Sequence, residues 1–199
     1  MPRSPALVLI GPAAAGPTTI GELAAAQLGL PFVDLDGIGE RYYAEVGWSI
    51  QRLVDCSNEL GRVAAERMWE PTRAHAVQRA VEDHPHSVLA LGAGHTSFID
   101  PGCFARVSAA PSVVLVLPSP DRAAALAELR CRSLASKGTE WISAGHDFLA
   151  QWHDDAGTRS LATDVVYTAG VTPAATSERV AAGVLQRNAR SVPFSGGSI

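Results

Sequence analysis

Short continuous apolar runs alternate along this chain with stretches whose apolar residues recur at helical spacing. ALVLI (6–10) runs into a glycine-containing loop and predicts a strand buried on both faces. Residues 18–28 follow as a helix, closed by Gly29 and Pro31. PFVDLD (31–36), HSVLALGAG (86–94), SVVLVLP (112–118) and TDVVYTAG (163–170) predict four more strands. Residues 37–56 carry mixed helical signals. A longer helix is expected over 57–82, capped by Ser57 or Asn58 and kinked or interrupted at Pro71. Two further helices are expected over 121–134 and 176–190. The polar stretch after 134, with its tryptophans and histidines, reads as a mobile lid with helical parts, and 191–199 as a flexible tail. There are no internal repeats. Strand–helix units in this order predict one α/β domain over 1–190, a mostly parallel sheet between two helical layers with ligands at the strand C-termini.

The junction between the first strand and helix carries the most specific signal. LIGPAAAGPTT has the layout of a phosphate-binding loop, G-x-x-x-x-G-K-[ST], through Gly11, Gly16, Thr18 and Thr19, but Pro17 stands where lysine is required. Proline removes a cation and a backbone N–H from the anion cradle together, while fitting well at a first helical position. Losing a donor to developing charge costs about 10²–10³ in rate. A displaced lysine cannot compensate nearby, because 15 of the 16 basic residues are arginine and the one lysine is Lys137.

Composition narrows the partners. A net charge of −4 argues against a general nucleic-acid or membrane-surface binder. No apolar run approaches the length of a membrane span, and the residues before the first strand are too few for a signal peptide. Three scattered cysteines, Cys56, Cys103 and Cys131, form neither a disulfide framework nor a zinc pattern, which suits a reducing cytoplasm.

Four segments together resemble the shikimate kinase family, small P-loop kinases of the nucleoside-monophosphate-kinase type. They are LIGPAAAGPTTIGELAAAQLGLPFVDLD, GWSIQRLVDCSNELGR, VLALGAG and VVLVLPSPDRAAALAELRCRSL. The resemblance implies a three-layer α/β/α fold with a mostly parallel five-stranded sheet and a lid over about 132–160. It implies that Asp34 lies near the nucleotide's Mg²⁺ and Asp36 at the acceptor hydroxyls. It further implies that Arg62 and Arg132 bind anions, and that Gly92, Ala93 and Gly94 form the strand end against the substrate. The chain departs from the family at Pro17, at Ala93 in place of a middle glycine, and at WHDDAGTR, where Asp154 and Asp155 fall near the position of a lid arginine and Arg159 is offset.

The remaining polar groups define the candidate chemistry. Asp34 and Asp36, two apart on an extended segment, would share one face; such a pair also reads as a turn or helix cap. His95, directly after GAG, is expected by position to project toward the same pocket, and an imidazole ordinarily titrates near neutral pH, as suits a general acid or base. His146, His153, Asp154 and Asp155 are candidates to join from the lid, without a metal-ligand spacing. Trp48, Trp141 and Trp152 are expected to line or cover the pocket, or to pack. The first expectation is an enzyme without ATP or metal, in which His95, Asp34 and Asp36 dehydrate, isomerise or cyclise a small anionic or polyhydroxylated metabolite. An alternative is an Mg-ATP-dependent phosphotransferase with a lid arginine replacing the loop lysine; another is a non-catalytic binding module. Either a monomer or a homodimer is compatible with the sequence.

Overall fold

The computed structural model describes residues 4–97 and 100–191. The first strand, β1 (Leu7–Ile10), has all four residues fully buried. Its side chains alternate between layers: Leu7 and Leu9 enter one hydrophobic cluster, Val8 and Ile10 the other. The chain continues through α1 (Pro17–Leu28), β2 (Phe32–Asp34), α2 (Leu35–Ile38), α3 (Glu40–Glu45), α4 (Ile50–Leu60) and α5 (Arg62–Asp83). It then forms β3 (Val88–Ala90), α6 (Pro101–Ser108), β4 (Val113–Leu117) and α7 (Arg122–Lys137). A two-residue-stranded hairpin, β5 (Ile142–Ser143) and β6 (His146–Asp147), leads into α8 (Phe148–Asp154) and α9 (Ala156–Leu161). β7 (Asp164–Tyr167) and α10 (Pro173–Ser191) complete the described chain.

The main sheet has the order β2-β3-β1-β4-β7, and every pairing in it is parallel. One cluster packs Val8, Ile10 and Leu89 under Trp69, Val77 and Val107, from α5 and α6. The other packs Leu7, Leu9 and Val114 against Ile20, Leu129 and Val180, from α1, α7 and α10. The sheet lies between two helical layers, as expected. Because β1 is central, its C-terminal loop emerges between β3 and β4, at the crevice where such sheets bind ligands.

Several boundaries differ from the sequence reading. The expected helix over 57–82 is two helices. Gly61, at φ 84° and ψ 151°, breaks it, and the N-cap is Ser49, whose hydroxyl accepts the Arg52 N–H at 3.0 Å. Neither Ser57 nor Asn58 caps, since both lie inside α4. Pro71 interrupts nothing: α5 runs through it for 22 residues. Asp36 is not on an extended segment either. β2 stops at Asp34, whose carboxylate accepts the Asp36 N–H at 3.1 Å and turns the chain into α2. The lid region contains the hairpin, α8 and α9, while α7 extends to Lys137 before Gly138 closes it. Residues 192–199 of the expected tail lie outside the described residues. Among the described residues, no helix is long and apolar enough to cross a membrane. All three cysteines are free thiols; Cys103 is buried and Cys131 exposed.

Candidate active site

The loop after β1 keeps the turn of a phosphate cradle. Gly16 adopts φ 102°, open to glycine and strained for other residues, and Pro17 occupies the first helical position. A Cβ on Gly11 would lie 2.6 Å from the Val116 carbonyl oxygen, so the loop passes close to β4. Thr18 and Thr19 follow at the exposed start of α1, where backbone N–H groups lack helical acceptors.

Beside this loop opens a cavity of about 800 Å³. The loop supplies Pro12, Ala13, Ala14, Gly16, Pro17 and Thr18. From α5 come Arg62, Glu66, Trp69 and Arg73, at spacings of four, three and four residues, which put them on one helical face. Asp36, Tyr43, Gly92, Ala93 and His95 form another wall, and Lys137, Trp141 and Trp152 come from the lid side.

The floor is a row of polar groups. The His95 N–H donates to the Gly92 carbonyl at 3.1 Å, fixing the turn after β3. The buried imidazole places Nε2 3.1 Å from the Tyr43 hydroxyl and Nδ1 3.8 Å from Asp36 Oδ1. The Asp36 carboxylate lies directly over Gly92, where a Cβ would overlap it and force it to move. Burial pushes the His95 pKa below its usual 6.5 against the opposing pull of Asp36, so the ring is neutral at neutral pH. Burial likewise raises the Tyr43 phenol.

The α5 wall is ionic. The Glu66 carboxylate accepts from Arg62 Nε at 2.7 Å and from Arg73 Nη1, so two guanidiniums share one carboxylate. Glu66 and Arg73 are each 8% exposed. The Arg62 guanidinium also lies 5.0 Å from the Trp141 ring centroid, at cation–π distance.

Of the expected residues, Asp36, Arg62, Gly92, Ala93, His95, Gly16, Pro17 and Thr18 all meet at this cavity. Asp34 stands behind it as the cap of α2, where the nearby Thr18 side chain partly offsets the effect of burial on its carboxyl. Gly94 sits beneath Arg73 and Trp152. Arg132 points elsewhere: its Nε bonds Glu128 at 2.7 Å and its Nη1 bonds Thr168 at 2.9 Å. Arg130 pairs with Asp147. In the lid region, His153 is buried against Asp154, and Asp154 binds Arg122. His146 and Asp155 line a separate, smaller cavity of about 370 Å³. Trp48 packs on Trp69 with ring centroids 5.4 Å apart. Among the described residues, no cluster of three potential ligands is arranged to hold a metal ion.

Asp34 is the ionisable group that costs stability here. Burial first, then Asp36, raises its pKa above 3.8. The folded state therefore holds this proton more tightly than the unfolded chain, and stability falls as pH rises from 3.8 through the folded pKa. Asp34→Asn keeps a capping side chain and removes the penalty. Thermal melts should show the variant more stable at pH 7, by less than about 1 kcal/mol because the group is half exposed. The gain should vanish below pH 3.8; a variant less stable at pH 7 would contradict this account.

No model of a known protein family and no curated protein sequence matches the chain. Solved structures do match. Shikimate kinase from Acinetobacter baumannii, in complex with shikimate, is 19% identical over 92% of this chain and 93% of its own, with a TM-score of 0.66. Shikimate kinase from Bacteroides thetaiotaomicron is 18% identical over 90% and 97%, with a TM-score of 0.59. A gluconokinase from Sinorhizobium meliloti 1021 is 17% identical over 98% of both chains, with a TM-score of 0.53. With the sheet order and the loop at the end of β1, these likenesses establish that the chain has the shikimate-kinase-like P-loop kinase fold.

Proposed function

We propose that the protein is an enzyme that acts on a small anionic or polyhydroxylated metabolite by acid–base chemistry, without phosphoryl transfer from ATP. The observation that carries this reading is the Asp36–His95–Tyr43 chain in the wall of the large cavity. Asp36 is the group exposed to a ligand, with its side chain 56% accessible. With the Tyr43 hydroxyl donating to Nε2, the neutral His95 carries its proton on Nδ1, toward Asp36. The imidazole then presents that N–H toward the carboxylate across 3.8 Å, without a hydrogen bond, and Asp36 takes and returns a substrate proton in a dehydration, isomerisation or cyclisation. Asp34 acts through position, by capping α2.

The residues present fit a nucleotide triphosphate poorly. Pro17 offers the cradle neither charge nor N–H, and the lid arginines Arg130 and Arg132 are engaged by Asp147, Glu128 and Thr168. A phosphotransferase reading has one observation in its favour: Lys137 lines the same cavity as the loop. Calorimetric titration with ATP and ADP, with and without Mg²⁺, separates the two. No binding at millimolar nucleotide is expected. Micromolar, Mg²⁺-dependent binding would overturn the proposal and make Lys137 the cation to replace.

A further inference from the structure

One residue of the lid is held in a conformation that its local turn does not require. The β5–β6 hairpin closes through the two-residue loop Ala144-Gly145, with φ 49° and 78°. Positive φ at both positions is what such a loop needs to match the twist of its strands. Trp141 lies outside that loop, before β5, and still adopts φ 58°. The left-handed region crowds the Cβ of a bulky side chain, so this backbone is strained. It is pinned from both sides. The Trp141 N–H donates to Thr139 Oγ1 at 3.1 Å, and its carbonyl accepts the Phe148 N–H at 3.0 Å. Strain persists where the surroundings over-determine a residue, and it gathers at clamps and switches.

The side chain shows what the strain secures. The Trp141 indole joins the lid side of the large cavity to the α5 wall: the Arg62 guanidinium lies 5.0 Å from its ring centroid. Lys137 Nζ lies 5.9 Å from the same centroid, and the Trp152 ring meets it edge-on at 5.2 Å. The far part of the lid is fixed separately. Asp147 pairs with Arg130 and Asp154 with Arg122, tying both ends of α8 to α7. Residues 138–145 are left as the part able to swing, bounded by the left-handed Gly138 and Gly145. A hairpin with strands this short holds little by itself.

We propose that Trp141 is a latch: clasped by Arg62, it keeps residues 138–145 shut over the large cavity, and its release opens the cavity to ligands. Cation–π attraction holds the clasp, most strongly where water is excluded. The left-handed backbone at Trp141 opposes it, and opening relieves that strain. Two opposing terms of similar size give a flap with an open and a shut state. The latch governs access to the cavity and does not depend on the chemistry at Asp36.

The test is hydrogen exchange at the Trp141 indole N–H in the whole protein, followed by NMR and assigned through Trp141→Phe. This N–H is buried and has no acceptor, so its protection measures closure of the flap and not a hydrogen bond. It should exchange about tenfold or more slowly than free indole, yet faster than the Val8 and Leu9 amides of the buried central strand, which open only with the fold. Arg62→Met keeps the stem and removes the guanidinium. Exchange at Trp141 should then accelerate about fivefold or more relative to the β1 amides, the worth of a cation–π contact. Thr139→Ala unpins the Trp141 backbone without touching α5 and should accelerate it by about as much, the worth of one hydrogen bond; this variant carries the test if Arg62→Met does not fold. A Trp141 N–H that exchanges as freely as indole, that exchanges in step with β1, or that Arg62→Met leaves unchanged relative to β1 would each overturn the latch. The assay needs no substrate and no nucleotide. Its failure leaves the Asp36 chemistry standing, and loss of that chemistry leaves the latch standing.

Discussion

Replacing Glu66 with alanine lowers the stability of the fold by about 3–5 kcal/mol, the cost of stranding a buried charge. Glu66 accepts from Arg62 Nε and Arg73 Nη1, and Arg73 has little access to water with which to replace the lost acceptor. Arg62, 35% accessible at its side chain, can turn outward, so the loss centres on Arg73. Urea unfolding at constant slope measures the change. The double variant Glu66→Ala/Arg73→Met should recover most of it, because an apolar replacement of a buried ion pair is close to neutral when it packs well. A loss below about 1 kcal/mol in the single variant would place the pair in the range of an exposed salt bridge and refute the burial argument.

The second large effect falls on chemistry and spares the fold. Asp36→Asn should reduce turnover by about 10²–10⁴, the usual contribution of a positioned acid–base group. Its side chain is more than half exposed, so stability should change by no more than about 0.5 kcal/mol. One consequence is measurable before any substrate is identified. The Asp36 charge favours the protonated imidazole, so removing it should lower the His95 pKa further, as read from its ring resonances across a pH series. Gly92→Ala should reduce turnover by a similar route, since the added methyl displaces the Asp36 carboxylate while leaving its chemistry intact. An unchanged His95 titration in Asp36→Asn would dissolve the chain on which the proposed reaction depends.

Most of the architecture was legible because continuous apolar runs such as LVLI and VVLVL have one good solution, a parallel strand covered on both faces. The break between α4 and α5 is hidden in the sequence because Gly61 sits inside an otherwise helical pattern, and its backbone conformation cannot be seen from composition. An Asp-x-Asp at a strand end does not reveal which carboxylate will cap the next turn, so the sequence alone leaves Asp36 on the strand. In the site, Asp36, His95 and Arg62 were found through motif position. Glu66, Trp69 and Arg73 were not, though they repeat at helical spacing from Arg62. Three polar or aromatic residues on one helix face look like a solvated surface until a cavity is known to face them. Tyr43 gave no signal at all, because its pairing with His95 spans 52 residues of sequence.

The single lysine has a practical consequence. Lys137 lies on the large cavity and is the only side-chain amine in the chain. An amine-selective reagent therefore modifies one side chain, and that one lies on the candidate site. A fluorophore or isotopic methyl group attached there would report occupancy of the pocket directly, in a background free of competing signals from other lysines.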